Sequence, residues 1–262
     1  MASIKEAYDS TMKEAFTGIK IFIWAFPIAY ALYQIKQLQL TEHPLTLSAQ
    51  NIIVISILFL LIGFVVTLAR NVVSKAQYVV PGINIFQLII NGLLGIVATA
   101  PYAIAGGFIY YASKQLMLPD EIWDATFHVI VFIYAIALPI SGICMLVRRM
   151  NIIEAFNLKK TILTSFDVFL DISYFTFRLF IVAGTFYWFF SYLFSLFIGF
   201  DNTFWLYLIG IGIMTLIVLY ANAIAQISDD LYTFREKEEL KKKEDALVKK
   251  VIEEQSEIKD MR

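Results

Sequence analysis

Apolar positions along this chain do not alternate with polar ones at helical or strand spacing. They come in long unbroken runs, with short charged stretches between them. A run of about 20 apolar residues crosses a hydrocarbon core of roughly 30 Å, because a helix rises about 1.5 Å per residue. Lipid offers a bare backbone no hydrogen-bond partner, so such runs fold as helices. Six spans are predicted: Phe16–Gln34, Asn51–Ala69, Phe86–Ala112, Ala125–Val147, an apolar part at Leu179–Phe200, and Phe204–Ile227. The third carries Gly92, Gly95, Pro101, Gly106 and Gly107, so a kinked or re-entrant segment is the alternative there. The expected fold is an all-α integral membrane protein. It is a six-span helical bundle with two cytoplasmic interfacial helices and a helical C-terminal tail, divided into a transmembrane domain over 1–227 and a charged tail over 228–262.

Two stretches between spans do show helical period. After Leu68-Ala69-Arg70, the residues Val72, Val73, Ala76, Val79 and Val80 fall on one side and Asn71, Ser74, Lys75 and Gln77 on the other, until Pro81-Gly82 ends the pattern. After Leu146-Val147-Arg148, the apolar side is Ile152, Ile153 and Phe156, with Glu154, Asn157 and Lys160 away from it. Both are expected to lie in the headgroup plane. The two span-linker-span units read as a degenerate parallel repeat.

Composition agrees with a membrane chain. Hydrophobic residues make up 59% and charged residues 16% of 262, against nearer half and a quarter in soluble domains. The lysines and arginines fix an orientation. Lys5, Lys13, Lys20, Arg70, Lys75, Arg148, Arg149, Lys159 and Lys160 fall on one side, and only Lys36 and Lys114 on the other. Positive charge in short flanks stays inside, so both termini are expected to be cytoplasmic and the location the cell membrane. Tyr33, Tyr110, Tyr111, Trp123 and Trp205 fall at the outer boundary, where amphipathic rings are favoured. Ala29-Tyr30-Ala31 has the look of a signal-peptide cleavage site, but Glu6, Asp9 and Glu14 are foreign to a basic leader, so the first span is expected to be a retained anchor.

From Ser228 onward the chain carries eleven acids and nine bases. Glu239–Lys243 and Asp245–Lys249 have the favourable i,i+4 order. Leu240, Leu247, Val251 and Ile258 have heptad-like spacing, interrupted by Glu244 and Glu254. This stretch reads as a solvated helix, or as a short coiled coil that joins a second copy or a cytoplasmic partner. The expected partners are thus the bilayer and a protein met through the tail; no nucleic acid is expected.

Arg70-Asn71 closing a span, then Tyr78-Val79-Val80-Pro81-Gly82-Ile83-Asn84 and a Gly/Ala-rich span, resemble a prokaryotic family of small multi-pass membrane proteins that carry a domain of unknown function. The resemblance covers roughly 52–227. It implies a multi-pass membrane protein and supplies no site residues.

Candidate chemistry is sparse. One cysteine, Cys144, excludes an intrachain disulfide, and two histidines exclude a multi-histidine metal site. No cofactor is expected. There is no H-E-x-x-H, G-x-S-x-G or Walker-type motif. Gly210-Ile211-Gly212 and the glycines of the third span read as close helix packing. His128 reads as an interfacial histidine bonded to a neighbour, and Cys144 as a small packing residue. No acid lies mid-span, which argues against ion-coupled transport. One constellation stands out: Asn157, Lys160, Thr164, Asp167, Asp171, Tyr174 and Arg178 recur at steps of three or four and would share one helix face at the entrance to the fifth span. It is the candidate ligand or partner surface. The chain is therefore read as a non-catalytic scaffold, assembly or partner-binding protein. A transporter or channel-like subunit is the alternative. An interfacial enzyme resting on Asp167 and Asp171 is the third reading.

Overall fold

The computed structural model describes residues 3–12, 14, 16–40, 49–82, 84–116, 121–195 and 206–233; for 36–40, 49–51, 158–160 and most of 182–195 it describes the backbone alone. Among the described residues the chain is entirely helical. The elements are α1 (Ile4–Met12), α2 (Thr17–Leu40), α3 (Ala49–Val73), α4 (Ile85–Ser113), α5 (Glu121–Arg149), α6 (Ile152–Ala155), α7 (Leu158–Ser195) and α8 (Leu206–Thr233). Five segments are long and apolar enough to cross a membrane: Thr17–Ile35, Ile52–Val73, Ile85–Ser113, Ile122–Arg148 and Leu206–Thr233. They coincide with five of the expected spans. The remaining one, Leu179–Phe200, falls on residues of which most side chains lie outside the description, and the tail beyond residue 233 lies outside it altogether.

α4 is one continuous helix of 29 residues that passes through Pro101, so the third apolar run is not broken. Pro27 and Pro139 lie inside α2 and α5 in the same way. A proline removes one rung of the hydrogen-bond ladder and frees the carbonyl four residues earlier. In α5 that carbonyl belongs to Ala135, and Gly106 of α4 lies directly over it. A Cβ at Gly106 would fall 2.5 Å from the Ala135 oxygen. The missing side chain lets the α4 backbone cover a polar atom that lipid could not satisfy.

Helices in lipid gain nothing from burying apolar surface against each other, so contact depends on how closely backbones approach. Gly63 and Gly92 bring α3 against α4, with hypothetical Cβ atoms 2.0 Å from the Leu88 oxygen and 2.8 Å from the Phe59 oxygen. Gly142 seats α5 on Ala98 of α4, and Gly210 seats α8 on Ala25 of α2. The expected packing role thus holds for Gly92, Gly95, Gly106 and Gly210, while Gly107 and Gly212 face open space. Between α3 and α4, buried Asn91 donates to the Thr67 hydroxyl at 2.8 Å, and Thr67 donates to the Gly63 carbonyl at 2.6 Å.

The start of α2, the ends of α3, α5 and α8, and the whole of α1 meet at one end of the bundle, here called basal. One sequence expectation fails there. Residues 76–82 are not an interfacial helix. α3 ends at Val73, Lys75 takes a left-handed backbone with φ of 52°, and residues 76–82 carry no helical turn before the Asn84 cap of α4. The cause is Glu14: its Oε2 accepts the backbone N–H groups of Val79 and Val80 at 2.7 and 2.8 Å, while Asn71 donates to the Val79 carbonyl. A carboxylate that takes two successive N–H groups outcompetes the weak local bonds of a short isolated helix. The second linker does contain helix, though only the single turn α6, and of its expected apolar side Ile152 packs part-buried against the core while Ile153 and Phe156 are exposed. Ala155 is fully buried and Glu154 accepts the Tyr232 hydroxyl inward, whereas Ile153 is 79% exposed. The Tyr102 hydroxyl binds the Ala155 carbonyl and fixes that orientation. Each linker has a left-handed residue, Lys75 or Met150, and an asparagine side-chain cap, Asn84 or Asn151.

Candidate functional site

α7 carries the expected stripe. Its first helical bond runs from the Thr161 N–H to the Asn157 carbonyl at 2.9 Å. The helix buries one face made of Thr161, Thr164, Ser165, Val168, Ile172, Phe175 and Leu179. Those positions recur at three- and four-residue steps and meet α5 and α8. Tyr134 of α5 hydrogen-bonds the Ser165 hydroxyl at 2.9 Å, and Tyr220 of α8 donates to Thr176 at 2.8 Å.

The seven stripe residues do not share one environment. Asp167, Tyr174 and Arg178 are exposed, and Asp171 is half-buried along the same edge. Thr164 is a correction. It has no exposure at all, because it lies one step further round the helix, inside the packed face. Asn157 precedes α7 and is exposed, and the Lys160 side chain lies outside the description. What remains together is the edge Asp167, Asp171, Tyr174 and Arg178. There the Arg178 guanidinium stacks over the Tyr174 ring at 4.1 Å and donates to its hydroxyl. Stacking and hydrogen bonding hold both side chains in one arrangement before any partner arrives. On the other side of this edge, Leu163, Phe166, Leu170 and Phe177 are exposed and apolar.

Asp124 accepts the expected interfacial bond of His128, through its carbonyl oxygen 2.7 Å from Nδ1. Cys144 is buried and its thiol points at the Ile224 carbonyl at 3.7 Å, a packing role. At the other end of the bundle a groove of about 380 Å³ opens between α2 and α8, lined by Phe26, Ala29, Tyr30, Tyr33, Leu206 and Tyr207. It is far from the α7 edge and has an aromatic lining of the kind found at membrane interfaces.

Sequence reasoning missed three basal clusters. The first is Glu14 with Lys20, an ion pair at 2.7 Å in which the ammonium also binds the Val80 carbonyl at 2.6 Å. The second is Arg148, stacked over Tyr232 at 4.6 Å and 3.7 Å from the Asp229 carboxylate. The third joins α1 to α8 through Ser3, Ser10, Asn222 and Gln226. That last one had a signal: Asn222 and Gln226 stand four apart near the end of an apolar span, where two amides on one face mark a polar helix contact. No protein-family model, no curated protein and no solved structure matches this chain.

Proposed function

We propose that the chain is a non-catalytic, six-span membrane scaffold that holds a protein partner on the Asp167–Arg178 edge of α7. One observation carries this reading: Arg178 is stacked and hydrogen-bonded on Tyr174, exposed, on the same helix edge as Asp171 and Asp167. That edge offers a fixed cation, an aromatic face and acceptors, the side-chain types that dominate binding hot spots. The tail over 234–262 would add a second contact, to a copy of the chain or to the same partner, and the resemblance to the prokaryotic family belongs to this proposal as well.

Chain geometry supports a sixth span. α5 and α8 both end at the basal end, where Arg148 meets Asp229 and the Cys144 carbonyl accepts the Ser228 hydroxyl. To run toward the basal end twice, the chain must return between them. α7 is the helix available. Its 38 residues span about 57 Å, more than a bilayer needs. Six crossings put both ends on one side, and the lysine and arginine count makes that side cytoplasmic. With Cys144→Ser as background, single cysteines replacing Glu42, Asp120 and Asp201 are expected to react with an impermeant thiol reagent from outside. Reaction at only one or two of them would mean that α7 does not cross.

For the partner edge, Arg178→Gln and Asp171→Asn are each expected to cut recovery of the co-purified partner about tenfold, equal to about 1.4 kcal/mol of binding, as for a moderate hot spot. The thermal midpoint of Arg178→Gln should hardly move, as for ordinary surface changes. Thr164→Val should do the reverse, lowering stability by about 1 kcal/mol with recovery unchanged, since it alters a buried hydroxyl. Unchanged recovery in both edge variants would end the scaffold reading of this face.

A further inference from the structure

At the basal end α1 packs across the end of α8. α1 has only nine residues, too few to persist alone in water. Its hold on the bundle is mostly polar. Gln226 pairs with the backbone of Ser3 through both halves of its amide: Oε1 accepts the Ser3 N–H at 2.7 Å and Nε2 reaches the Ser3 carbonyl at 3.3 Å. Asn222 donates to the Ser10 hydroxyl at 2.7 Å and accepts from Gln226 at 2.8 Å. The fully buried side chains of α1 are small, Ala7 and Thr11, and Ile4, a larger apolar side chain, packs part-buried against the core. Water can replace hydrogen bonds of this kind, and little apolar surface is exposed when they part.

The elbow into α2 is built differently. Phe16 has a left-handed backbone with φ of 71° while its ring is 69% exposed, an arrangement unfavourable for a bulky residue that gains no burial from it. Holding the elbow shut are the Glu14 bonds to Val79, Val80 and Lys20, and the Thr17 hydroxyl, which donates to the Thr11 carbonyl at 2.7 Å. The elbow is thus strained and clasped, and the helix beyond it is lightly docked.

We propose that α1 is a detachable strap, clasped shut at Glu14, which lifts from the basal end of α8 and uncovers the Asn222–Gln226 row while the bundle stays folded. Lifting relaxes Phe16 and leaves the amides of Asn222 and Gln226 facing solvent, on a surface that α1 otherwise occupies. The inference does not depend on the partner edge of α7.

The test uses the full chain with one substitution. Thr11→Cys puts a thiol of similar size on the docked face of α1, and the native, fully buried Cys144 serves as internal reference for global opening. In mild detergent, with maleimide modification followed by mass spectrometry, the thiol at position 11 is expected to react at least about 100-fold faster than Cys144, as local opening outruns global unfolding. Adding Glu14→Gln should speed position 11 by a further factor of about ten and leave Cys144 unreacted. A thiol at position 11 as slow as Cys144 would make α1 a fixed part of the core and overturn the proposal. A rate that ignores Glu14→Gln would overturn the clasp. Should Glu14→Gln also expose Cys144, Gln226→Ala takes its place with the same expectation, since it frees the other end of the strap; position 11 unchanged in that variant overturns the proposal too.

Discussion

Gly63→Ala is expected to cost about 3 kcal/mol and to lower the thermal midpoint in mild detergent by roughly 10 °C, the shift that such a loss produces in a chain of this size. The new methyl would lie 2.0 Å from the Leu88 oxygen, 2.8 Å from the Leu88 carbonyl carbon and 3.0 Å from the Gly92 nitrogen. All three are backbone atoms of α4, so no side chain can swing aside and the two helices must separate. Separation also stretches the Asn91–Thr67 hydrogen bond that ties α4 to α3 near the same place. The helix-propensity gain of alanine over glycine, about 1 kcal/mol, does not offset this. Gly107→Ala is the matched control. Nothing stands within 4 Å of its Cβ, so only the propensity gain remains and the midpoint should rise slightly. Equal midpoints for the two variants would mean that α3 and α4 do not touch as described.

Tyr102→Ala is expected to cost about 3 kcal/mol, and Tyr102→Phe only about 1 kcal/mol. The Tyr102 ring is 2% exposed and fills the space beside Gly142, where a Cβ would stand 3.1 Å from a ring carbon. Alanine leaves a hole that neither lipid nor water reaches, and the lining loses its dispersion contacts outright. Phenylalanine keeps the packing and loses only the bond to the Ala155 carbonyl, which still receives the Thr161 hydroxyl at 3.3 Å. Because that bond orients α6, the phenylalanine variant should also open residues 150–157 to limited proteolysis at unchanged overall fold. Thermal midpoints of the two variants check the first expectation, and cleavage rates the second. Should phenylalanine destabilise as much as alanine, the hydroxyl rather than the ring would be the main support.

Part of the candidate site was legible and part was not. Helical spacing correctly put Asp167, Asp171, Tyr174 and Arg178 on one edge, because three- and four-residue steps are a property of the helix itself. The same spacing put Thr164 with them, and there it failed. Spacing reports which residues are neighbours, but the width of the buried face depends on how α5 and α8 lean against α7, and that brings Thr164 inside.

The sequence by itself determined the solvent of this protein and the helices it requires. An apolar run in lipid has one way to satisfy its backbone, and it must be as long as the bilayer is thick, so the bounds of five apolar helices follow from composition. Tertiary structure decided the rest, chiefly at the basal end. Residues 72–80 have the apolar period of one helix, yet α3 stops at Val73 and the linker beyond it forms no helix, because Glu14, 65 positions before Val79 in sequence, takes the N–H groups of Val79 and Val80. Ile152, Ile153 and Phe156 have the period of an interfacial helix, yet Tyr102 draws the Ala155 carbonyl inward, the helix is a single turn, and of the three only Ile152 packs against the core. α1 has no apolar run at all, and its position is set by amides of α8 that lie 212 and 223 residues further along the chain. In each case a hydrogen bond from a distant residue competed with a local preference worth little in a short segment, and no pattern within the segment records that competition.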